Sequence, residues 1–210
     1  MPKIEPFENF TDEYDAWFSK NQDLYDAELK AVRMLLPAVG KGLEVGVGSG
    51  KFASPLKIGT GVEPSQQMAN RSRALGINVI CGAAEHLPFS DSEFDYILMV
   101  TTICFLDDIS AAFSESLRVL KPGGCIIVGF VDSQSELGRT YEANRESSEF
   151  YRYATFFCSQ DVTGHLERAG FAVDSVIQAL VPGRLPSDVL PGSGKGAFVV
   201  IRGLKSDLCI

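Results

Sequence analysis

The stretch Gly42-Leu43-Glu44-Val45-Gly46-Val47-Gly48-Ser49-Gly50 decides the fold of this chain. Its first half is apolar, which is typical of a buried β-strand, and its alternating glycines predict a tight turn that leads into a helix. Glycine has no Cβ, so the backbone of such a turn can approach a ligand closely. A carboxylate, Glu44, stands two residues before the first glycine of the turn. This combination favours a ligand that carries an ammonium or a sulfonium over one that carries a phosphate, because like charges repel in a partly desolvated pocket.

Two other nucleotide-binding turns look similar, and the sequence argues against both. A P-loop needs two glycines five residues apart, followed by lysine and then serine or threonine. Here Gly46 and Gly50 are four residues apart and Phe52 follows Lys51. The dinucleotide fingerprint G-x-G-x-x-G/A fits Gly46 and Gly48, but it requires glycine or alanine where Lys51 stands. The P-loop is therefore excluded, and the hypothesis of a dinucleotide-binding turn is weakened.

The composition predicts one globular domain over residues 1–210 with a small molecule as its main partner. A chain of 210 residues with 45% hydrophobic and 22% charged residues is long enough and apolar enough for one full core. The net charge of −8 argues against a nucleic-acid backbone as the main partner, since that binding needs a basic face. The composition also allows a homodimer.

Cysteine and histidine usage bears on compartment and metal binding. The five cysteines are odd in number and never in C-x-x-C spacing, which is typical of reduced thiols in a cytoplasm. Only two histidines, His86 and His165, are present, so we expect no metal site. No apolar run approaches the ~20 residues that a membrane helix needs, and the N-terminus lacks the apolar core of a secretory signal. We therefore expect a cytoplasmic protein without a membrane span.

Beyond the glycine turn, strands and helices alternate. The predicted strands are 43–47, 58–62, 78–81, 94–100, 125–131, 171–181 and 197–202. Helices predicted at 65–75 and 108–120 lie between strands, which implies right-handed crossovers and a mostly parallel sheet. The last two strands are joined by a Pro/Gly-rich loop over 182–196, so we expect them to form an antiparallel hairpin at the sheet edge.

Five motifs in the same order and spacing resemble class I S-adenosylmethionine-dependent methyltransferases. The first is the glycine turn, Glu44 to Gly50. The others are Gly61-Val62-Glu63-Pro64-Ser65, Gly82-Ala83-Ala84-Glu85-His86-Leu87-Pro88-Phe89, Phe94-Asp95-Tyr96-Ile97-Leu98-Met99 and Leu117-Arg118-Val119-Leu120-Lys121-Pro122-Gly123-Gly124. The chain is most similar to small bacterial methyltransferases of type 11, the ubiquinone/menaquinone-biosynthesis group. The resemblance implies a Rossmann-like, doubly wound α/β fold with a mostly parallel seven-stranded sheet and an antiparallel C-terminal hairpin.

The resemblance also implies a cofactor and the residues that bind it. The cofactor is S-adenosylmethionine, with S-adenosylhomocysteine as product and no metal. Glu63 would accept hydrogen bonds from the ribose hydroxyls, and Met99 would lie near the sulfonium. The implied cofactor-binding residues are Glu44, Val45, Gly46, Gly48, Gly50, Glu63, Pro64, Ser65, Met68, Ala83, Ala84, Glu85, Met99 and Val100. Many relatives carry aspartate where this chain has Ala83, so backbone groups or Glu85 would have to bind the adenine amino group here.

The resemblance and the sequence patterns outside it together divide the one expected domain into four regions. Residues 40–131 are the expected cofactor-binding core. Residues 1–37 are a predicted helical cap with aromatic residues at three- and four-residue spacing. Residues 132–158 interrupt the strand–helix alternation with aromatic and charged residues, so we expect a substrate-side insert there. A helix and the hairpin follow over 159–210.

No catalytic residue can be singled out from the sequence. Methyl transfer from a sulfonium is an in-line displacement, which positioning and desolvation can largely promote. The acceptor-pocket candidates lie in the aromatic segments or directly after predicted strands, and they are Tyr14, Trp17, Thr101, Thr102, Asp132 and Tyr141. We expect a small acceptor that is apolar, aromatic or amine-bearing, methylated at N, O or C.

Two alternatives remain open at this point. A non-catalytic protein that binds S-adenosylmethionine, for example a regulator, would share all the cofactor features. An NAD-dependent oxidoreductase is the weaker alternative, because the third glycine and an obvious catalytic acid are missing. Glu63 suits a ribose diol in either kind of ligand, so it does not separate the two.

Overall fold

The computed structural model describes residues 4–207, which form one eight-stranded sheet with helices on both faces. The strands are β1 (Gly42–Val45), β2 (Thr60–Glu63), β3 (Asn78–Cys81), β4 (Phe94–Val100), β5 (Leu120–Val131), β6 (Phe171–Ala179), β7 (Leu190–Pro191) and β8 (Phe198–Lys205). Their order across the sheet is β3-β2-β1-β4-β5-β8-β6-β7. Strands β1 to β5 are parallel, whereas β8 runs antiparallel to both β5 and β6. The predicted α/β class, with antiparallel C-terminal strands, is confirmed.

The described sheet has one strand more than the seven predicted. The additional strand β7 has two residues, which pair with Ile177 and Gln178 of β6. It lies within the predicted loop 182–196, where the Gly192 amide donates to the Val176 carbonyl at 2.8 Å. Two residues are too few to produce a period-two pattern, so the sequence carries no signal for this strand.

The N-terminal region, which was predicted as a helical cap over residues 1–37, contains three helices between Glu5 and Leu35. The α-helices of the described chain are α1 (Glu5–Asn9), α2 (Thr11–Lys20), α3 (Gln22–Leu35), α4 (Ala53–Leu56), α5 (Gln66–Ala74), α6 (Ile109–Val119), α7 (Glu136–Ala143) and α8 (Ser159–Ala169). The helical path breaks at Phe10 and at Asn21. The side-chain amide of Asn21 donates to the Trp17 carbonyl at 2.8 Å, so a local side-chain bond competes with continuation of the helix.

Apolar residues cover both faces of the central strand β4. Ile97 and Met99 pack in the layer that contains α6 and α8. Tyr96 and Leu98 pack in the layer that contains α3 and α5. A parallel strand that is covered on both faces is almost continuously apolar, which is the pattern of Phe94–Val100. The carboxyl end of this strand is therefore held firmly from both sides.

The order of the strands changes direction between β1 and β4. From β1 the chain moves outward to β2 and β3, and it then returns to add β4 and β5 on the other side of β1. Ligands of open α/β sheets bind beyond the carboxyl ends of strands at such a point. The glycine turn after β1 and the residues after β4 consequently lie at the same edge, which we call the site edge.

Two segments approach the site edge from outside the sheet. Helix α1 contacts α2 and α5, and its Phe7 ring lies 4.9 Å from the Phe105 ring and 5.7 Å from the Phe150 ring, centroid to centroid. Phe150 belongs to the predicted insert 132–158, which contains α7 and two short 3-10 helices. The N-terminal helices and the insert therefore meet over the end of β4.

Candidate active site

A cavity opens at the site edge between the glycine turn, the end of β2 and the residues that follow β4; we call it the main cavity. The predicted cofactor residues that line it are Gly46, Gly48, Glu63, Pro64, Met68, Ala83, Ala84, Glu85 and Val100. Its other lining residues are Ile4, Phe7, Tyr14, Val62, Gly82, Thr101, Thr102, Phe105 and Leu106. Three of the sequence motifs, far apart along the chain, thus meet around one space.

The glycine turn leaves backbone exposed to the main cavity. Gly46 has a φ of +72°, and a Cβ built there would lie 2.5 Å from the Thr102 side chain, so no larger residue fits without a shift. Gly48 has a φ of +54°, and its Cβ position has only the Tyr14 ring within 4 Å, with the hydroxyl 3.6 Å away. The Gly46 amide donates to the Val62 carbonyl at 2.8 Å, which ties the turn to β2.

Glu63 connects the glycine turn with the start of α5. Its Oε2 accepts a hydrogen bond from the Gly48 amide and its Oε1 accepts one from the Ser65 amide, both at 2.9 Å. The residue is 6% exposed, and burial raises the pKa of its carboxyl to about 7. A carboxylate has about four lone-pair sites, so Glu63 retains acceptor capacity on the side of the main cavity.

Glu44 is a buried carboxyl group with an incomplete set of hydrogen bonds. It is 2% exposed, and its Oε2 has no hydrogen-bond partner among the described residues. Burial raises the pKa of Glu44 well above its usual range, while a backbone bond from Ala53 lowers it. Burial and the charges of Glu63 and Glu44 together raise the pKa of Tyr14, which lines the main cavity. Glu44 is therefore an electrostatic neighbour of the cavity, although it does not line it.

Four further residues of the predicted cofactor set lie behind the cavity wall. Val45 and Met99 are buried in the hydrophobic core. Gly50 has positive φ and packs against α5. Ser65 caps α5, as predicted, because its hydroxyl accepts a hydrogen bond from the Met68 amide at 3.2 Å. The structure places these residues where they shape the wall and does not place them on its surface.

Four of the six acceptor-pocket candidates line a cavity. Tyr14, Thr101 and Thr102 line the main cavity. Thr101 and Tyr141 line a second, smaller cavity, which we call the aromatic cavity. The other residues lining the aromatic cavity are Ile103, Cys104, Phe130, Val131, Tyr151, Thr155, Phe156 and Phe157. Thr101 has a φ of +51° and takes part in both walls, so the two cavities adjoin at the turn after β4.

The other two candidates lie outside both sets of lining residues. Asp132 is buried, and its carboxylate accepts hydrogen bonds from the Gln134 amide at 2.8 Å and the Ser159 amide at 3.1 Å. Both oxygens thus hold the end of β5 against the start of α8. The Trp17 ring packs edge-on against Phe18, 5.2 Å between centroids. Its contacts are those of a residue in the apolar layer under α2 and α3.

Several residues that were not selected from the sequence line the two cavities or contact the residues that line them. Phe7 and Phe105 line the main cavity, Tyr151 lines the aromatic cavity, and Phe150 contacts Phe7 and Tyr14. Their aromatic character was visible in the sequence, but nothing there indicated which rings converge. Glu28 is 5% exposed in α3. A signal for Glu28 existed, because it is a carboxylate at helical spacing from the apolar residues that follow it in the same helix.

The side chains and helices of residues 4–207 bear on metal and membrane binding. No group of three or more His, Cys, Asp or Glu side chains in this range is arranged to hold a metal ion. None of the helices in this range is both long enough and apolar enough to cross a membrane.

Comparison with known proteins identifies the family. A crystal structure of an S-adenosylmethionine-dependent methyltransferase from Thermotoga maritima, described as a possible histamine N-methyltransferase, is 49% identical to this chain. It superposes with a TM-score of 0.92 over 97% of this chain and 100% of its own. The chain belongs to the S-adenosylmethionine-dependent methyltransferases. The enzyme class and the cofactor that the five motifs implied are thereby confirmed, and the dinucleotide alternative is set aside.

A family model and two further relatives show the same similarity in sequence. A methyltransferase-domain family model matches residues 43–128, which contain the glycine turn and β4. An uncharacterized protein from Methanocaldococcus jannaschii is 39% identical over 95% of this chain and 98% of its own length. A malonyl-[acyl-carrier protein] O-methyltransferase from Geobacter sulfurreducens is 30% identical over 77% of this chain and 69% of its own. The named relatives differ in their acceptors, so the family fixes the donor and leaves the acceptor to be argued from the site.

Proposed function

We propose that this methyltransferase transfers a methyl group to a small-molecule acceptor that enters beside the turn after β4. The observation that carries the proposal is the junction at Thr101, where the main cavity beside the glycine turn adjoins the aromatic cavity. A donor in the first space and an acceptor in the second would meet at this residue. Direct contact of donor and acceptor is what an in-line displacement requires.

The residues of the main cavity suit S-adenosylmethionine. When bound, this cofactor supplies an electrophilic methyl group on a sulfonium. Glu63 would accept the ribose hydroxyls with the lone pairs that Gly48 and Ser65 leave free. Gly48 would present open backbone to the methionine part, and the unpartnered oxygen of Glu44 would favour the positive charge nearby. Ala84 and Glu85 would lie along the adenine.

The wall of the aromatic cavity supports a small acceptor with an apolar or aromatic body. Tyr141 and Tyr151 stack with centroids 4.8 Å apart and planes 21° from parallel. Tyr151 and Phe156 are also in ring contact. The net charge of −8 makes a nucleic acid a poor partner, and the name of the Thermotoga relative is compatible with a small amine. Exclusion of water by these rings would promote the transfer, since desolvation strengthens the electrostatic contacts inside the site.

Two measurements test this function. Isothermal calorimetry should detect binding of S-adenosylmethionine and S-adenosylhomocysteine, and no binding of NAD at the same concentrations. Incubation with S-adenosylmethionine and a panel of small amines, phenols and quinols should then release S-adenosylhomocysteine with at least one acceptor. Cofactor binding without turnover on any of these compounds, but with turnover on a protein or a nucleic acid, would contradict the proposal.

A further inference from the structure

Glu28 is a buried carboxyl group that the cofactor site does not use. It lies on α3 with 5% of its surface exposed, on the side where Ala31, Val32 and Leu35 pack against the sheet. No hydrogen bond or ion pair to Glu28 is found among residues 4–207. Burial raises the pKa of this carboxyl to about 8. An unpartnered buried carboxylate is costly, and it therefore points to a ligand that completes it.

The position of Glu28 along α3 places it at the acceptor side of the site. At the far end of the helix, the Leu35 carbonyl accepts a hydrogen bond from Arg202, which lies opposite Ile127 of β5. Seven helical residues span about 10 Å, which is the length of about three strand residues. Glu28 is thus near the level of Val131, which packs on the same face of the sheet as α3 and lines the aromatic cavity.

A second contact fixes the direction of α3. Tyr25, three residues before Glu28, donates its hydroxyl hydrogen bond to the Lys51 carbonyl directly after the glycine turn. Lys30, two residues after Glu28, donates to the Ser187 carbonyl in the segment that follows β6. The N-terminal half of α3 therefore lies at the site edge, and Glu28 with it.

The charge of Glu28 acts on tyrosines from three different segments. Burial, and after it the charge of Glu28, raise the pKa of Tyr141. Burial is also the largest cause of the raised pKa values of Tyr151 and Tyr14, and the Glu28 charge contributes to both. Tyr14 comes from α2, Tyr141 from α7 and Tyr151 from the insert after it. Glu28 therefore lies within electrostatic range of all three rings, two of which line the aromatic cavity.

We propose that Glu28 is the specificity-determining residue that binds a positively charged nitrogen of the methyl acceptor, and that the acceptor is an amine held beside Tyr141 and Tyr151. A carboxylate and aromatic faces both attract a cation, the faces through their negative quadrupole. An ammonium partner offsets part of the cost of the desolvated carboxylate by its charge, which a neutral phenol or quinol cannot do to the same extent. The inference rests on the proposed function, because it names the class of the small acceptor.

Matched ligands and matched variants test the role of Glu28. The enzyme saturated with S-adenosylhomocysteine is titrated with phenethylamine, tyramine and histamine, and with 2-phenylethanol and tyrosol, in which a hydroxyl replaces the ammonium. We expect at least one amine to bind the wild type tenfold or more tightly than the alcohols. Glu28→Gln should abolish this preference and Glu28→Asp should retain part of it. The affinity for S-adenosylhomocysteine should change less than twofold in both variants.

Asp23→Asn is the control, because Asp23 is an exposed carboxylate on the same helix and should leave all these affinities unchanged. The inference is overturned if the wild type shows no preference for any amine over the alcohols, or if Glu28→Gln retains the preference. The wild-type comparison decides the matter by itself if the variants do not fold. Failure of the proposed function has a different result, namely that no small molecule in the wider panel of amines, phenols and quinols is methylated.

Discussion

At the scale of single residues, Glu63 is the group that we propose to contact the cofactor most directly. The residue was selected from the sequence because a carboxylate at the end of the second strand can bind a ribose diol, and the structure places it in the wall of the main cavity. Its contact with the Gly48 amide was not foreseeable, because it depends on how the turn folds back towards β2. Glu28 was not selected, because its spacing on α3 indicates burial but does not indicate which rings of other segments lie near it.

Replacement of Glu63 by alanine should weaken cofactor binding more than replacement of His86. The substitution removes the proposed acceptor of the ribose hydroxyls and frees the Gly48 and Ser65 amides, and hydrogen bonds to a charged group are worth about 1.5 to 3 kcal/mol each. We expect the Kd for S-adenosylhomocysteine to rise at least tenfold, or ~1.4 kcal/mol. His86→Ala, on the adjacent loop, should change it less than threefold in the same calorimetric titration. The reverse order would contradict the site assignment.

Replacement of Glu28 by glutamine should alter the dependence of stability on pH. The pKa of Glu28 is raised from an ordinary value near 4.5 to about 8, so the wild type loses stability as pH rises between these values. Glutamine does not ionise, and the variant should therefore be more stable than the wild type at pH 9, by on the order of 3 kcal/mol. Urea unfolding at pH 5 and pH 9 checks this. An equal difference at both pH values would show that the carboxyl is not buried as described.

At the scale of elements, β1, the glycine turn and α5 could be predicted, whereas the breaks between the three N-terminal helices could not. The glycine turn combines an apolar strand with residues of positive φ, and Ser65 caps α5 as its sequence indicates. The breaks at Phe10 and Asn21 interrupt an otherwise regular aromatic period, and such breaks depend on tertiary contacts such as those of Phe7. The rings of the aromatic cavity are equally hard to predict, because they come from β5, from α7 and from the rest of the insert.

The turn after β1 should tolerate alanine poorly at Gly46. The residue has positive φ and a Cβ would meet Thr102 at 2.5 Å, so Gly46→Ala should cost at least about 1 to 3 kcal/mol from backbone strain alone. Gly59→Ala is a suitable control, because its Cβ position has nothing within 4 Å and its φ is not positive. Chemical denaturation should show a loss for Gly46→Ala and a change within ~0.5 kcal/mol for Gly59→Ala. Similar losses in both variants would argue against the described turn.

At the scale of the whole molecule, the sequence was sufficient to predict the α/β class and a mostly parallel sheet. The alternation of strands and helices restricts the topology strongly, because crossovers between parallel strands are right-handed. The short strand β7 was missed because it has only two residues. The acceptor side was the least predictable part, because its residues belong to segments that differ in conformation and meet only in the folded chain.

Residues 1–210 should unfold as one cooperative unit, as expected for one domain. The two apolar layers share the strands β4, β5 and β8, so neither layer is complete without the same central strands. We expect far-UV circular dichroism and intrinsic fluorescence of Trp17, which lies in one of the layers, to report the same denaturation midpoint. Two separated transitions would show that the regions fold independently.

We propose above all that methyl groups pass from S-adenosylmethionine to a small molecule bound in the aromatic cavity. The most direct measurement is to incubate the enzyme with methyl-labelled S-adenosylmethionine and a cell extract, and to separate small molecules, proteins and nucleic acids before counting the label. We predict enzyme-dependent label in the small-molecule fraction, in an amine, and much less of it with Glu28→Gln. Label confined to the protein or nucleic-acid fraction would contradict the account.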